Sequence, residues 1–263
     1  MNCRVVLLVA ASLALPTVTN AEERTTTYGD LRGRFVFDGQ PPAPRPIPVI
    51  RDREGIGVKE IPDETLMVHP ENHGIANVCV WMYRKRGEEA PAIHPSYNLN
   101  PEMDDDFVTR TMTASRGRYE PRILPLQTGE RLLVTTADRF AYNAKVDTFN
   151  NPPSSVLIPP EGRQTFSFEK LETIPCPVSD NIHPWMRAWI LIQDHPYMAV
   201  TNTDGKFEIK NIPSGQWTFQ FWHEKAGYLR EVNIEGKDMQ WERGRATFKI
   251  SPMPTDLGAV RIS

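Results

Sequence analysis

Residues 182–224 read IHPWMRAWILIQDHPYMAVTNTDGKFEIKNIPSGQWTFQFWHE, and this stretch decides the fold. Ala188 to Ile192 is a continuous apolar run of strand length, too short for a buried helix. Asp204-Gly205 predicts a tight hairpin over Thr201–Ile209, because Asp-Gly accepts positive φ at low cost. Ile212-Pro213-Ser214-Gly215 predicts a second turn. Beyond it, Trp217, Phe219 and Phe221 alternate with Thr218, Gln220 and Trp222, the period of a strand. Gly227-Tyr228 turns the chain again, and 246–250 and 258–262 supply the last strands.

Working upstream, the same short-strand rhythm continues. Strands are predicted at Tyr28–Phe37, Leu66–His69, Val78–Arg84, Phe107–Ala114, Tyr119–Leu126, Glu130–Thr136 and Gln164–Phe168, with Gly or Pro between them. The run Pro41-Pro42-Ala43-Pro44-Arg45-Pro46 cannot join a ladder and reads as an extended surface connector. The chain has 24 prolines in 263 residues, and no helical period competes with the strand pattern. Both point to an all-β chain of sandwich type.

The formal net charge is −3, and Lys and Arg are scattered. That excludes an electrostatic footprint for nucleic acid. The first residues, MNCRVVLLVAASLALPTVTNAEE, hold one early Arg, an apolar run at 5–15, and small residues at 19–21. This is the pattern of a signal peptide over 1–21, too short to span a bilayer. No later stretch reaches membrane length, so the expected location is periplasmic or secreted. Cys79 and Cys176 then remain. An oxidising compartment permits a disulfide between them. The apolar surroundings of Cys79 point instead to a buried free thiol in a central strand.

Two resemblances rest on these residues. From about 190 to the end, the pattern Thr201…Asp204-Gly205…Phe207…Ile209…Ile212-Pro213…Gly215…Trp217…Phe219 resembles a carboxypeptidase regulatory-like, prealbumin-type β-sandwich. The resemblance implies a supporting or binding module rather than a catalyst. Before it, Asn181-Ile182-His183-Pro184-Trp185-Met186 looks like the loop of an exported cupredoxin of the methylamine-utilisation-like kind. The implied architecture is a cupredoxin-like Greek-key β-sandwich over 22–190, followed by a smaller carboxypeptidase regulatory-like β-sandwich over 191–263.

A cupredoxin draws one histidine from an early strand, and Cys, His and Met from a late loop. Thiolate and imidazole suit copper in both redox states, and the thioether tunes its potential. The resemblance therefore implies His183, Met186 and Cys176 as metal ligands, an incomplete set. The position four before His183 is Ser179, where the binuclear copper loop has cysteine, and Cys176 stands seven before. The early-strand positions are Arg122 and Tyr142, where relatives have histidine. Arg does not deprotonate to ligate.

Elsewhere the chemistry is thin. His183, His195 and His223 with Glu224 lack the compact spacing of a zinc site. The acidic run 102–106 lacks the alternating ligands of a calcium loop and reads as a solvated turn. There is no nucleophile elbow and no phosphate-cradling glycine motif. Trp185, Trp189, Trp217 and Trp222 read as core aromatics more than as an exposed sugar platform. The expected role is a non-catalytic binding or accessory protein without a cofactor, acting on a protein or glycan. The second reading is a periplasmic copper protein, moving electrons or holding copper through His183 and Met186.

Overall fold

A computed structural model describes residues 26–85, 87–97 and 108–263. The expected signal peptide and the acidic run at 102–106 lie outside the described residues. In chain order, the first strands are β1 (Tyr28–Phe37), β2 (Pro46–Pro48), β3 (Glu60–Pro62) and β4 (Val78–Met82). One helical turn, α1 (Arg53–Ile56), sits between β2 and β3. Then come β5 (Thr109–Ser115), β6 (Arg118–Glu120), β7 (Ile123–Gln127), β8 (Arg131–Thr135), β9 (Tyr142–Val146), β10 (Ser154–Ile158), β11 (Arg163–Ser167), β12 (Cys176–Ser179) and β13 (Arg187–Gln193). The remainder are β14 (Met198–Val200), β15 (Lys206–Pro213), β16 (Gly215–His223), β17 (Gly227–Tyr228), β18 (Glu231–Ile234), β19 (Lys237–Gln240), β20 (Arg245–Ile250) and β21 (Thr255–Ile262). The all-β expectation holds.

Two sandwiches result. The first packs sheet β10-β9-β12-β13-β7 against sheet β11-β8-β5-β6. Its core holds Met112, Leu126, Leu132, Val134, Tyr142, Val178 and Ile190, all buried. The second packs β15-β1-β21-β18-β19 against β14-β4-β16-β17, with β20 also on β16. Phe35, Val80, Ile209, Phe219 and Phe221 fill its core.

The division between them differs from the expected boundary at 190/191. Tyr28–Phe37 inserts between β15 and β21, antiparallel to one and parallel to the other. Val78–Met82 lies between β14 and β16. Both early strands therefore belong to the sheets of the C-terminal sandwich, and the first sandwich is an insertion spanning 109–193. The physical reason is that the C-terminal strands leave open edges and half a core uncovered. The uniformly apolar VCVWM strand and the ten-residue β1 complete them.

The two expected turns are real but do not close hairpins. Residues 202–206 turn tightly: Asn202 Oδ1 accepts the Asp204 and Lys206 N–H groups at 3.0 and 2.9 Å. The strands on either side then diverge, β14 to β4 and β15 to β1. Likewise β15 and β16 lie in opposite sheets. Each turn is a corner that carries the chain across the sandwich. Gly205 is required there: its φ is 76°, and a Cβ would sit 2.1 Å from the Phe35 carbonyl oxygen. The expected strand at Leu66–His69 is reduced to a single bridge, Val68 to Ile75. The strands β9, β10 and β12 escape a reading by alternation: β9 buries Asn143 between Tyr142 and Ala144, β10 exposes Leu157, and β12 is four residues long and holds Pro177.

Strands β4 and β13 explain how the sandwiches meet. On β13, Ala188, Ile190 and Ile192 enter the first core while Leu191 faces outward. On β4, Val78, Val80 and Met82 enter the second core while Cys79 and Trp81 face outward. The outward faces pack together with Ile123 and Trp222 as a third apolar cluster. Strands buried on both faces read as uninterrupted apolar runs, which is why these two are the plainest in the sequence. Trp189 meets Trp222 edge-on at 4.8 Å between centroids. Leu191 is wholly buried, so Leu191→Ala should cost about 2–5 kcal/mol. Urea denaturation followed by fluorescence and by far-UV circular dichroism should show one shifted transition, common to both probes. Two separated transitions in the parent would contradict the joined cores.

Candidate functional site

The loop between β12 and β13 carries the chemistry. It begins with Asp180, whose side chain is fully buried. Asp180 Oδ1 accepts the N–H groups of Ile182 at 2.6 Å and His183 at 2.9 Å. Oδ2 accepts the Asn143 N–H at 2.9 Å and faces His183 Nδ1 at 3.3 Å. One carboxylate thus folds the loop, joins it to β9 and orients the imidazole. Such saturation is what makes a buried carboxylate tolerable.

His183 itself is wholly buried. Its Nε2 lies 2.9 Å from Asp52 Oδ2, which arrives from the β2–β3 segment. Asp52 has φ 48°, a left-handed conformation that Asp adopts more readily than most residues. The ring is boxed by Tyr142, Trp185 and Phe140 at centroid distances of 5.0, 5.4 and 5.7 Å. Burial alone would lower its pKa. The hydrogen bonds and charges of Asp180 and Asp52 outweigh burial and raise it above 6.5. Two carboxylates on one imidazole favour its charged form and make it a strut between the loop and the 46–65 segment.

Of the three residues that the sequence singles out as ligands, His183 and Met186 share the β12–β13 loop and Cys176 stands outside it. Met186 shares the loop, with its N–H on the His183 carbonyl at 2.8 Å, and its side chain is buried in the first core. Cys176 begins β12, opposite Ile190, whereas Ser179 at the loop end lies opposite Arg187. Cys176 and Ser179 are three steps apart along the strand, about 10 Å. Burial and the Glu172 charge push the Cys176 thiol up to about 12, so it stays protonated. The two cysteines among the described residues are free, Cys79 in the cluster between sandwiches and Cys176 in the first core.

The early-strand positions have other work. Tyr142 packs on His183 and donates its hydroxyl to Asp138 Oδ2 at 2.6 Å. Arg122 makes a two-pronged pair with Glu224, 2.7 Å at each prong, and Trp189 Nε1 donates to the same carboxylate at 3.2 Å. This buried pair ties the first sandwich to the β16–β17 turn of the second. A blue-copper donor set needs a thiolate and free imidazole nitrogens. Here Cys176 begins β12 rather than the loop, and both nitrogens of His183 face carboxylates, so the residues present do not form a blue-copper donor set.

The other histidines are separate. His195 Nε2 meets the Met82 carbonyl at 3.0 Å, and burial lowers its pKa to about 4. Burial also lowers His223, whose Nδ1 accepts the Lys225 N–H at 3.3 Å. Among the described residues, no group of three or more acids, histidines or cysteines is arranged to hold a metal ion. Trp222 is buried and Trp217 Nε1 donates to the Pro213 carbonyl at 2.6 Å, so neither is a free sugar platform. Asp180 and Asp52 were not singled out from sequence. Asp180-x-x-His183 is a readable turn signal, but Asp52 lies 131 residues from His183 and has no local mark.

These features define an all-β protein of two joined sandwiches with a histidine–carboxylate knot at one pole of the first. No known family model matches the chain, and no curated protein matches it. Solved structures that it resembles include cupredoxins and a copper enzyme. A copper-containing nitrite reductase from Thermus scotoductus SA-01 aligns over 39% of this chain and 25% of its own, at 18% identity and TM-score 0.30. A purple cupredoxin from Nitrosopumilus maritimus aligns over 31% of this chain and 97% of its own, at 17% identity and TM-score 0.26. A reduced amicyanin variant aligns over 43% and 97%, at 11% identity and TM-score 0.29. The matched part spans a quarter of the reductase, and likeness at this level assigns neither family nor activity.

Two titrations should oppose one another. His183 binds its proton more tightly folded than unfolded, so its contribution is full below pH 6.5 and is lost as pH rises through its folded value. His195 stays neutral when folded, so its contribution is full above pH 6.5 and is lost as pH falls towards about 4. Urea midpoints across pH should therefore show His183→Gln losing most at low pH, with the gap to the parent closing as pH rises. His195→Gln should flatten the acid limb. A His183→Gln gap that widens with pH would contradict the strut.

Proposed function

We propose that this chain is an exported, non-catalytic binding or accessory protein built on a cupredoxin-like frame, whose copper loop has become a structural clamp. The single observation behind this reading is the double engagement of the His183 ring. Nδ1 faces Asp180 and Nε2 faces Asp52, so a metal would have to displace a carboxylate from a buried cationic ring. The placement of Cys176 at the start of β12, away from the loop end, supports it. The apolar run at 5–15 supports export. The resemblance of the C-terminal part to a carboxypeptidase regulatory-like module supports binding over catalysis.

A second reading keeps copper, held by His183 and Met186 of one loop, for electron transfer or storage. One donor is strong and one weak, so copper so held would bind loosely and lack the intense thiolate charge-transfer band. Metal analysis of natively purified protein, followed by Cu(II) titration in the visible range, separates the two. The clamp reading predicts substoichiometric copper and no intense band. One tightly held copper per chain, with strong colour, would overturn it.

A further inference from the structure

We propose that the cavity between the 46–65 segment and the pole of the first sandwich binds a small carboxylic acid with a body about the size of one six-membered ring. This rests on reading the protein as a binding protein and names the site and ligand class. The cavity holds about 130 Å³. A void of that order accommodates a molecule the size of benzene.

Its walls divide by chemistry. Ile47 and Ile61, from β2 and β3, and Trp185, from the β12–β13 loop, supply apolar surface. The Trp185 indole N–H is already given to the Gly117 carbonyl at 3.1 Å, so the ring contributes carbon rather than a donor. Three arginines and two acids also line the cavity: Arg118, Arg122 and Arg187 against Asp63 and Glu64. Arg122 is committed to Glu224. Glu64 is committed to Arg118 at 2.7 Å, with Arg122 at 3.7 Å. Asp63 Oδ1 accepts the Thr65 N–H at 2.9 Å.

What remains uncommitted is mainly donor. Arg118 uses Nη1 on Glu64 and keeps its other nitrogens. The exposed Arg187 side chain makes no hydrogen bond or ion pair with a described residue. Two guanidinium groups with spare N–H beside a ring-sized apolar floor recognise a carboxylate on a compact apolar body.

The 46–65 segment is built as a roof. Val49, Ile56 and Ile61 form a small core of their own that packs on Phe140 and Trp185. Asp52–His183 and Glu64–Arg118 fasten it at two points. The same clamp that fills the copper position therefore shapes the cavity.

Benzoate is the probe, with benzyl alcohol and benzylamine as neutral and cationic controls, titrated into the full chain and read by amide shifts. Benzoate should bind with Kd on the order of 1 mM, as expected for so small a ligand. Shifts should centre on residues 61–65, 117–119 and 184–187. The controls should bind about tenfold more weakly or less. Arg187→Ala should weaken benzoate about tenfold and leave benzyl alcohol unchanged. Arg187→Gln serves if the alanine variant loses its parental urea midpoint. Benzoate binding no better than benzyl alcohol, shifts centred elsewhere, or no shifts at all would overturn the site. A colourless protein that ignores benzoate overturns the site alone, whereas tight coloured copper overturns the reading beneath it.

Discussion

The Asp180 carboxylate is the constraint on which the pole of the first sandwich depends. It takes three backbone N–H groups and one imidazole nitrogen, and it has no exposure to solvent. Without it, the β12–β13 loop has no fixed conformation, His183 has no orientation, and Asp52 has no cation to meet. A carboxylate buried this deeply is stable only with its partners in place. The arrangement is therefore cooperative: loop, ring and overlying segment are ordered together.

A second buried charge plays the same part between the sandwiches. Glu224 opens the β16–β17 turn, and its side chain is 2% exposed. It receives both prongs of Arg122 and the Trp189 indole. The apolar cluster of Cys79, Trp81, Ile123, Leu191 and Trp222 supplies most of the attraction there, because buried area is non-directional and large. The ion pair adds geometry: a bidentate pair accepts one relative placement of its two partners. Together they fix how the two sandwiches meet.

The sequence made the elements legible wherever burial is one-sided or total. The run at Ala188–Ile192, the VCVWM strand and the alternation at 217–222 all appear as strands. Topology was less legible. Asp204-Gly205 marks a turn equally well whether its flanking strands pair or part, and here they part. Nothing local in Tyr28–Phe37 tells that its partners lie near 210 and 260. The site was half legible. His183 and its loop stood out by resemblance, and so did the missing ligands at Ser179, Arg122 and Tyr142. That two carboxylates hold His183 was hidden, because Asp52 reaches it only through the fold.

The central claim is that His183 is a doubly held imidazolium rather than a vacant ligand. Nitrogen NMR of the protein labelled at its histidine rings tests it most directly, with His183→Gln to assign the signal. At pH 6.5 the account predicts a His183 ring protonated on both nitrogens, with slowly exchanging N–H protons and an Nε2 signal that moves in Asp52→Asn. A neutral His183 ring with a bare nitrogen, indifferent to Asp52→Asn, would contradict it.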